Sequence, residues 1–262
     1  MLLPLLSQLF LHLATGGLVV LVFIASYEAL TGFLSFMSLV GGVFLILGLA
    51  LDFRISPTFF LFALTALLTF AHRFSLRSLP VMSAHRLLVF AALTGILATA
   101  VGGAAIPTHG SSPLQRFFSL LASLLSSGVL GGVGFSMVLG HWYLVVPRLS
   151  IEPLKRTSKF FIGALIARIV LLILTLLILW NAGGSHVVRD LWLASGAFPT
   201  LLLWSRLLLG LIIPAVFLYL IWGTVKIRST QEATGILYVT TALILLGELV
   251  SKYLSVVYAL PL

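Results

Sequence analysis

The sequence predicts an all-α membrane protein, a polytopic helix bundle with eight transmembrane helices in a single domain that covers residues 1–262. Two observations lead to this prediction. Of the 262 residues, 61% are apolar and only 8% are charged, whereas an average soluble domain carries roughly 25% charged residues. Several apolar runs also reach the length of about 18 residues at which a segment can span a bilayer. This chain therefore cannot form a water-exposed surface of normal polarity.

Eight apolar segments account for most of the chain. The predicted spans are residues 5–26, 30–51, 56–73, 84–106, 116–146, 158–181, 197–223 and 231–259. The third is close to the lower limit for a span, and the fifth is long enough to tilt or to project from the membrane. The first has no basic residue before it and no small-residue cleavage site after it. We therefore expect it to be a permanent span rather than a removable signal peptide.

The basic residues between the spans predict the orientation. The connections after the third, fifth and seventh spans contain Arg73, Arg77, Arg86, Arg148, Lys155, Arg156, Lys159, Lys226 and Arg228. The opposite connections contain Arg54, Arg116 and Arg189. Because short loops rich in Lys and Arg remain on the cytoplasmic side, both termini are predicted to lie outside (N-out and C-out). We expect the chain in the cytoplasmic (inner) membrane of a bacterium or an archaeon.

The net charge of +9 fits this topology signal and does not indicate a nucleic-acid partner, because the basic residues are scattered over the loops without an aromatic–basic patch. The chain has no cysteine, which excludes disulfides, thiolate metal sites and Cys-ligated iron–sulfur clusters. A redox role would therefore use His ligands, a quinone or the cofactors of a partner. Phosphate-binding loops and the HExxH and GxSxG motifs are also absent, so no catalytic residue is assigned.

Four charged side chains lie inside the predicted spans, namely Arg168, Arg206, Glu248 and Lys252, and His12 is a further titratable group. Ionisable residues at membrane depth are costly, so they are candidates for function. At 1.5 Å per residue, all of them except Arg168 fall in the outer half of the bilayer. Glu248 and Lys252 are four residues apart with the acid first, which is the favourable order for a helical pair.

Three interpretations of this outer group remain open. It is a buried Glu248–Lys252 ion pair that fixes helix packing, with Arg206 as a third member, or a polar pocket for a quinol headgroup, or an ion or substrate path. In the quinol pocket, His12 or Glu248 would accept a proton. Arg168 lies near mid-bilayer with no acid at its depth on a neighbouring span. We expect backbone carbonyls, a bound anion or a partner subunit to complement it.

Three histidines near the opposite side permit a different cofactor. His72 ends the third span, His85 begins the fourth, and His141 lies near the inner end of the fifth. Two facing histidines on neighbouring helices can ligate haem b, so His141 with His85 or His72 is a candidate ligand pair. Gly140 would leave room for the ring. The arginines that follow His72 and His85 favour an interfacial position for those two side chains instead.

Small residues and one proline predict how the helices pack. Residues with small side chains recur every four positions on two spans: Gly128, Gly132, Ser136 and Gly140 on the fifth, and Ala91, Gly95, Thr99 and Gly103 on the fourth. Such stripes allow helix backbones to approach closely in lipid, or they form a groove for a flat haem or quinone ring. Pro214 lies inside the seventh span and removes a backbone donor, so we expect a kink there.

The segment Gly247-Glu248-Leu249-Val250-Ser251-Lys252-Tyr253-Leu254, together with eight helices and outside termini, resembles the membrane anchor subunits of the dimethyl sulfoxide reductase and polysulfide reductase group. The resemblance implies an eight-helix anchor without its own haem that binds menaquinol and passes electrons to an iron–sulfur partner. The acid of that family corresponds to Glu248, and a base follows at Lys252. The three inner histidines are not explained by this resemblance.

The leading hypothesis is an integral membrane subunit of an electron-transfer complex that interacts with quinone or menaquinone near the outer face. It would be the non-catalytic or quinol-oxidising subunit of an oxidoreductase, with the lipid bilayer and other protein subunits as its partners. The alternatives are a haem b cytochrome, a small-molecule transporter that uses the region of Arg168 and Glu248, and a structural or assembly subunit.

The predicted orientation can be tested with reporter fusions. Alkaline phosphatase fused after Leu262 should be active, because it folds only outside the cytoplasm, and the same enzyme fused after Arg148 should be inactive. Green fluorescent protein fused after Leu262 should be dark, because it does not become fluorescent when it is exported across the membrane as an unfolded chain. A C-terminal reporter that is active only in the cytoplasm would refute the prediction.

Overall fold

The computed structural model describes residues 2–78, 80–106, 113–146, 148–181 and 197–257, and these are helical throughout apart from short connections. Eight of the described helices are long and apolar enough to cross a membrane. Seven of them are α1 (Leu2–Ile24), α2 (Thr31–Leu51), α3 (Pro57–Ser78), α4 (Val81–Ala104), α5 (Pro113–Val145), α6 (Glu152–Asn181) and α8 (Thr230–Val257). Helix α7 consists of Ala197–Leu207, a π-helical turn at Leu208–Ile212, and Ile213–Lys226. The predicted number of spans is thereby confirmed.

The outer surface of the bundle is apolar. Large hydrophobic side chains on several helices are exposed, among them Leu67, Phe90, Leu177 and Val216. Many buried side chains, in contrast, are polar or charged. An apolar exterior of this extent around a polar interior fits immersion in lipid, where exposed apolar side chains carry no penalty. The chain is a multi-pass membrane protein that carries its polar groups inside.

Two helices extend farthest beyond the predicted spans. Helix α3 continues to Ser78, and α6 already begins at Glu152. Hydropathy locates only the part of a helix that lies in the hydrocarbon, whereas the helical hydrogen bonds continue into the polar interface. At the start of α6, Arg156 lies 4.0 Å from Glu152 and stacks over the ring of Tyr27. These interactions sustain the polar first turns of α6.

Helices α1 and α5 form the centre of the bundle. They pack against each other, with α2, α3 and α4 forming one group beside them and α6, α7 and α8 forming another. The α1–α5 crossing is tight because Gly16 and Gly131 meet backbone to backbone. A Cβ atom on Gly16 would overlap the carbonyl oxygen of Ser127. The absence of a side chain at both positions therefore sets the distance between the two central helices.

The predicted small-residue stripes do pack closely, but against different neighbours. A Cβ atom on Gly132 would lie 3.1 Å from the Cα atom of Phe161 on α6. One on Gly140 would lie 2.7 Å from Oγ1 of Thr234 on α8, and one on Gly103 would lie 3.1 Å from Cα of Leu120 on α5. The small residues of the α5 stripe therefore pack first against α6, at Gly132, and then against α8, at Gly140. Gly131, which brings α1 into contact, is outside that stripe.

Helix α7 departs from regular α geometry just before Pro214. The N–H of Ile213 donates to the carbonyl of Leu208, a bond that spans five residues and closes the π turn. Proline lacks an N–H and its ring crowds the carbonyl four residues earlier, so a wider turn at this point relieves the conflict. The predicted disturbance by Pro214 therefore takes the form of a π turn. Gly210 in this turn contacts Gly247 of α8.

Replacing Gly16 with Ala should weaken the α1–α5 crossing. The new methyl group overlaps backbone atoms of Ser127. We therefore expect the free energy of unfolding to fall by at least about 1–3 kcal/mol, measured as a lower melting temperature and a lower membrane yield. Gly41→Ala is the matched control, because a Cβ atom at buried Gly41 meets no atom within 4 Å. Equal stability of the two variants would contradict the proposed role of this crossing.

Candidate functional site

The predicted polar residues converge at one level inside the bundle. We call the end at which α1 begins and α8 ends the terminal face. At 1.5 Å per residue, His12, Ser126, Arg168, Arg206 and Glu248 each lie about 13–20 Å from that end of their own helix. Five different helices thus contribute to one buried group. With Lys252, these side chains are named the charged cluster here.

Glu248 is the centre of the charged cluster. Its Oε1 accepts a hydrogen bond from Nη2 of Arg206 at 2.9 Å and lies 3.7 Å from Nε of Arg168. Its Oε2 accepts from Oγ of Ser126 at 2.6 Å. Glu248 and Arg206 are each 1% exposed and Arg168 is 4% exposed. One carboxylate therefore joins α8 to α5, α6 and α7 in the buried interior of the bundle.

Lys252 forms the second part of the charged cluster. Its Nζ lies 2.7 Å from Nδ1 of His12 and donates to Oγ of Ser126 at 3.2 Å. Because the Ser126 hydroxyl donates to Glu248, it accepts from Lys252 and links the two. If Lys252 is a charged ammonium, it donates to Nδ1 of His12, and the proton of the imidazole ring is on Nε2. If Lys252 is a neutral amine, it accepts from Nδ1–H of His12, and Nε2 is then an acceptor. The His12–Lys252 pair thus has two protonation arrangements.

The structure changes two expectations about these charges. Glu248 and Lys252 were predicted to pair directly along α8, but Glu248 pairs with the two arginines and Lys252 turns to His12 and Ser126. The expectation that Arg168 has no acid at its depth was wrong. Helix α6 begins six residues before the predicted span, at 152 rather than 158, so Arg168 lies farther along the bundle and reaches Glu248.

Arg168 has further partners besides the carboxylate. Its Nη1 donates to the carbonyl of Ala122 at 3.0 Å, and its Nη2 donates to Oγ of Ser251 at 3.2 Å. The guanidinium therefore crosses from α6 to both α5 and α8. Backbone carbonyls were one of the complements predicted for this residue, and the Ala122 contact confirms that part of the expectation.

Ser126 was not predicted, although the sequence contains a signal for it. Ser119, Ser123 and Ser126 are spaced by four and three residues on α5, which places their hydroxyls on one helix face. On α8, Ser251 and Ser255 repeat the spacing of four. Rows of hydroxyls on spanning helices that also carry charges indicate a polar interior lining.

Two cavities lie between the charged cluster and the terminal face. The inner cavity, of about 30 Å³, is lined by Gln8, His12, Ile106, Ser119, Ala122, Ser123, Ser126, Arg168, Ser251, Lys252 and Ser255. The vestibule, of about 310 Å³, is bounded by the ends of α1, α2, α3, α4, α5 and α8 and includes Asp52, Arg54 and Phe59. His12, Gln8 and Ser123 border both. His12 therefore connects the vestibule to the charged cluster.

The three histidines predicted for haem lie elsewhere in the bundle. His72 is buried and its Nδ1 bonds to Oγ of Ser38 on α2 at 2.9 Å. His141 is exposed and its Nδ1 lies 3.2 Å from the hydroxyl of Tyr238 on α8. Helix α3 packs against α2 and α4, so His72 and His85 are on adjacent helices while His141 faces another part of the bundle. Haem ligation stays a prediction for a reduced-minus-oxidised spectrum to test.

No protein-family model, no curated protein and no solved structure matches the chain. The class of protein therefore follows from its own fold and composition. It is a multi-pass membrane protein whose described part contains eight helices long enough to cross a membrane, with a cluster of charged side chains buried between five of them.

Replacing Glu248 with Gln should destabilise the protein strongly. The amide keeps the shape but leaves Arg206 and Arg168 without their counter-charge, and breaking a buried ion pair in this way costs about 3–5 kcal/mol. The loss should appear as a lower melting temperature in detergent and a lower membrane yield. Glu232→Gln, at an exposed position on the same helix, is the control and should behave like the wild type. Unchanged stability of Glu248→Gln would show that the cluster does not hold the helices together.

Proposed function

We propose that the protein is the quinol-interacting membrane subunit of an electron-transfer complex, with menaquinone or a related quinone bound in the vestibule. The observation that supports this most directly is the position of His12. It borders a vestibule of about 310 Å³ and lies 2.7 Å from Lys252. Cavities of roughly 300–1,000 Å³ are typical for small ligands. A proton-accepting side chain beside a cavity of this size is the requirement for a quinol site.

The chemistry assigned to the site is the uptake of protons from quinol. Oxidation of a quinol to a quinone releases two protons and two electrons. When Lys252 is a neutral amine, Nε2 of His12 accepts the first proton from a quinol hydroxyl while Nδ1–H passes its own proton to Lys252. The second proton leaves from the other hydroxyl through the vestibule to the terminal face. Gln8, at the border of the same cavity, provides an amide that can bond to the second oxygen of the ring. The electrons pass to a redox cofactor of a partner subunit.

The proposal places the vestibule on the outer side of the cytoplasmic membrane of a bacterium or an archaeon. The distribution of Lys and Arg over the loops supports this orientation. Protons released by quinol would then leave on the outer side. The protein partners would be the other subunits of a larger membrane complex, and this subunit would bind quinol without containing the catalytic centre for the final acceptor.

His12→Gln should reduce quinol binding without loss of folded protein. Glutamine keeps hydrogen-bonding capacity but cannot take up a proton at neutral pH. Loss of a hydrogen bond to a buried polar group corresponds to about a tenfold or greater change in affinity. The measurement is a titration of the purified protein with a short-chain menaquinol analogue, together with extraction and quantification of bound quinone. His141→Gln is the matched control, because His141 is exposed and belongs to neither cavity.

The outcomes are distinct. A wild-type protein that carries no quinone and does not bind the analogue would refute the proposal, as would equal binding by wild type and His12→Gln. A reduced yield of His12→Gln with unchanged affinity of the folded fraction would assign His12 to structure alone.

A further inference from the structure

Within the part of the chain that the structure describes, the charged cluster contains more positive than negative charge. Arg168, Arg206 and Lys252 are each at most 5% exposed, and Glu248 is the acid in direct contact with both arginines. Arginine does not lose its proton in proteins. Two guanidinium groups therefore share one carboxylate even when Lys252 is neutral. In a buried environment, such an excess of positive charge calls for a further anion.

The hydrogen bonds show the same imbalance. Among the residues that the structure describes, Nε and Nη1 of Arg206 have no hydrogen-bond acceptor. The ammonium of Lys252 has three N–H donors and two partners, His12 and Ser126. Its third donor is available to a ligand in the inner cavity, which Lys252 lines. The cluster therefore lacks acceptors as well as negative charge.

The inner cavity is suited to supply the missing anion. Arg168 and Lys252 border it, and its remaining polar lining consists mainly of serine hydroxyls. Ser119, which is 1% exposed and lines this cavity, has a hydroxyl without a hydrogen-bond partner among the described residues. A hydroxyl that no protein group satisfies, beside two cations, is a donor for a bound anion.

We infer that the inner cavity is a binding site for a small monovalent inorganic anion, with chloride as the representative, held by Lys252, Arg168 and Ser119. The size of the cavity limits the ligand. A cavity of about 30 Å³ has room for about two water molecules, which is sufficient for a halide. Phosphate, the phosphate of a lipid headgroup and the ring of a quinol would all extend beyond this volume. The site shares Lys252 with the proton path proposed for quinol, but chloride binding can be measured in the absence of quinol.

The test is thermal unfolding of the purified full-length protein in detergent. Sodium chloride and sodium bromide are each titrated against sodium gluconate at constant ionic strength, and sodium phosphate is a third arm. We expect a saturable rise of the melting temperature with chloride and bromide and no such rise with gluconate or phosphate. Bromide also gives anomalous diffraction, so crystals grown in it should show one strong peak between Lys252 and Ser119.

Ser119→Ala and Ser136→Ala form a matched pair of variants. Both serines are buried on α5 with hydroxyls that have no partner among the described residues, but only Ser119 lines the inner cavity. Loss of one hydrogen bond to a charged ligand should weaken chloride affinity about tenfold in Ser119→Ala. Ser136→Ala should bind chloride as the wild type does.

Three results would overturn the inference. They are the absence of saturable stabilisation by chloride, the same stabilisation by gluconate at equal ionic strength, and equal chloride affinity of Ser119→Ala and wild type. None of these results depends on quinol. Chloride binding by a protein that does not bind the menaquinol analogue would refute the proposed function and leave the anion site intact.

Discussion

The packing of this bundle depends on one carboxylate, that of Glu248, shared between Arg206 and Arg168. In a bilayer, apolar side chains gain little by leaving lipid for another helix, so hydrophobic burial does not select helix neighbours as it does in water. An isolated charge at a helix centre costs about 2.5–3.5 kcal/mol. Helices α6, α7 and α8 each contribute one of these three side chains, so each helix alone would place a charge in the bilayer without this counter-charge. Their association is the condition under which the charges are tolerated.

Glycines provide the geometry that this interaction requires. Gly210 and Gly247 allow α7 and α8 to touch backbone to backbone, directly beside the residues that pair. Gly16 and Gly131 do the same for α1 and α5, which carry His12 and Ser126. The bond from Ser126 to Glu248 joins α5 to α8, and Gly140 of α5 lies against Thr234 of α8. Close packing and the buried polar network are therefore two aspects of one arrangement.

The sequence predicted the fold class and the number of spans well, because hydropathy records directly which segments lie in hydrocarbon. It also identified each charged member of the cluster, since ionisable residues are rare in such segments. Pairing could not be predicted to the same extent. Which acid Arg168 meets depends on where α6 begins, and the polar first turns of α6 are invisible to hydropathy. The direct Glu248–Lys252 pair was inferred from spacing on one helix, but partners on other helices compete for both side chains.

The π turn of α7 also determines which changes of length the chain can tolerate over generations. Each residue added to or removed from a regular α-helix rotates everything beyond it by about 100°. The turn at Leu208–Ile212 is different, because its hydrogen bond spans five residues instead of four and so takes up one residue more than an α turn. Deletion of one residue within this turn would restore a regular helix and leave the Arg206 side chain directed at Glu248. The π turn is therefore the place in α7 where the number of residues can change without loss of the ion pair.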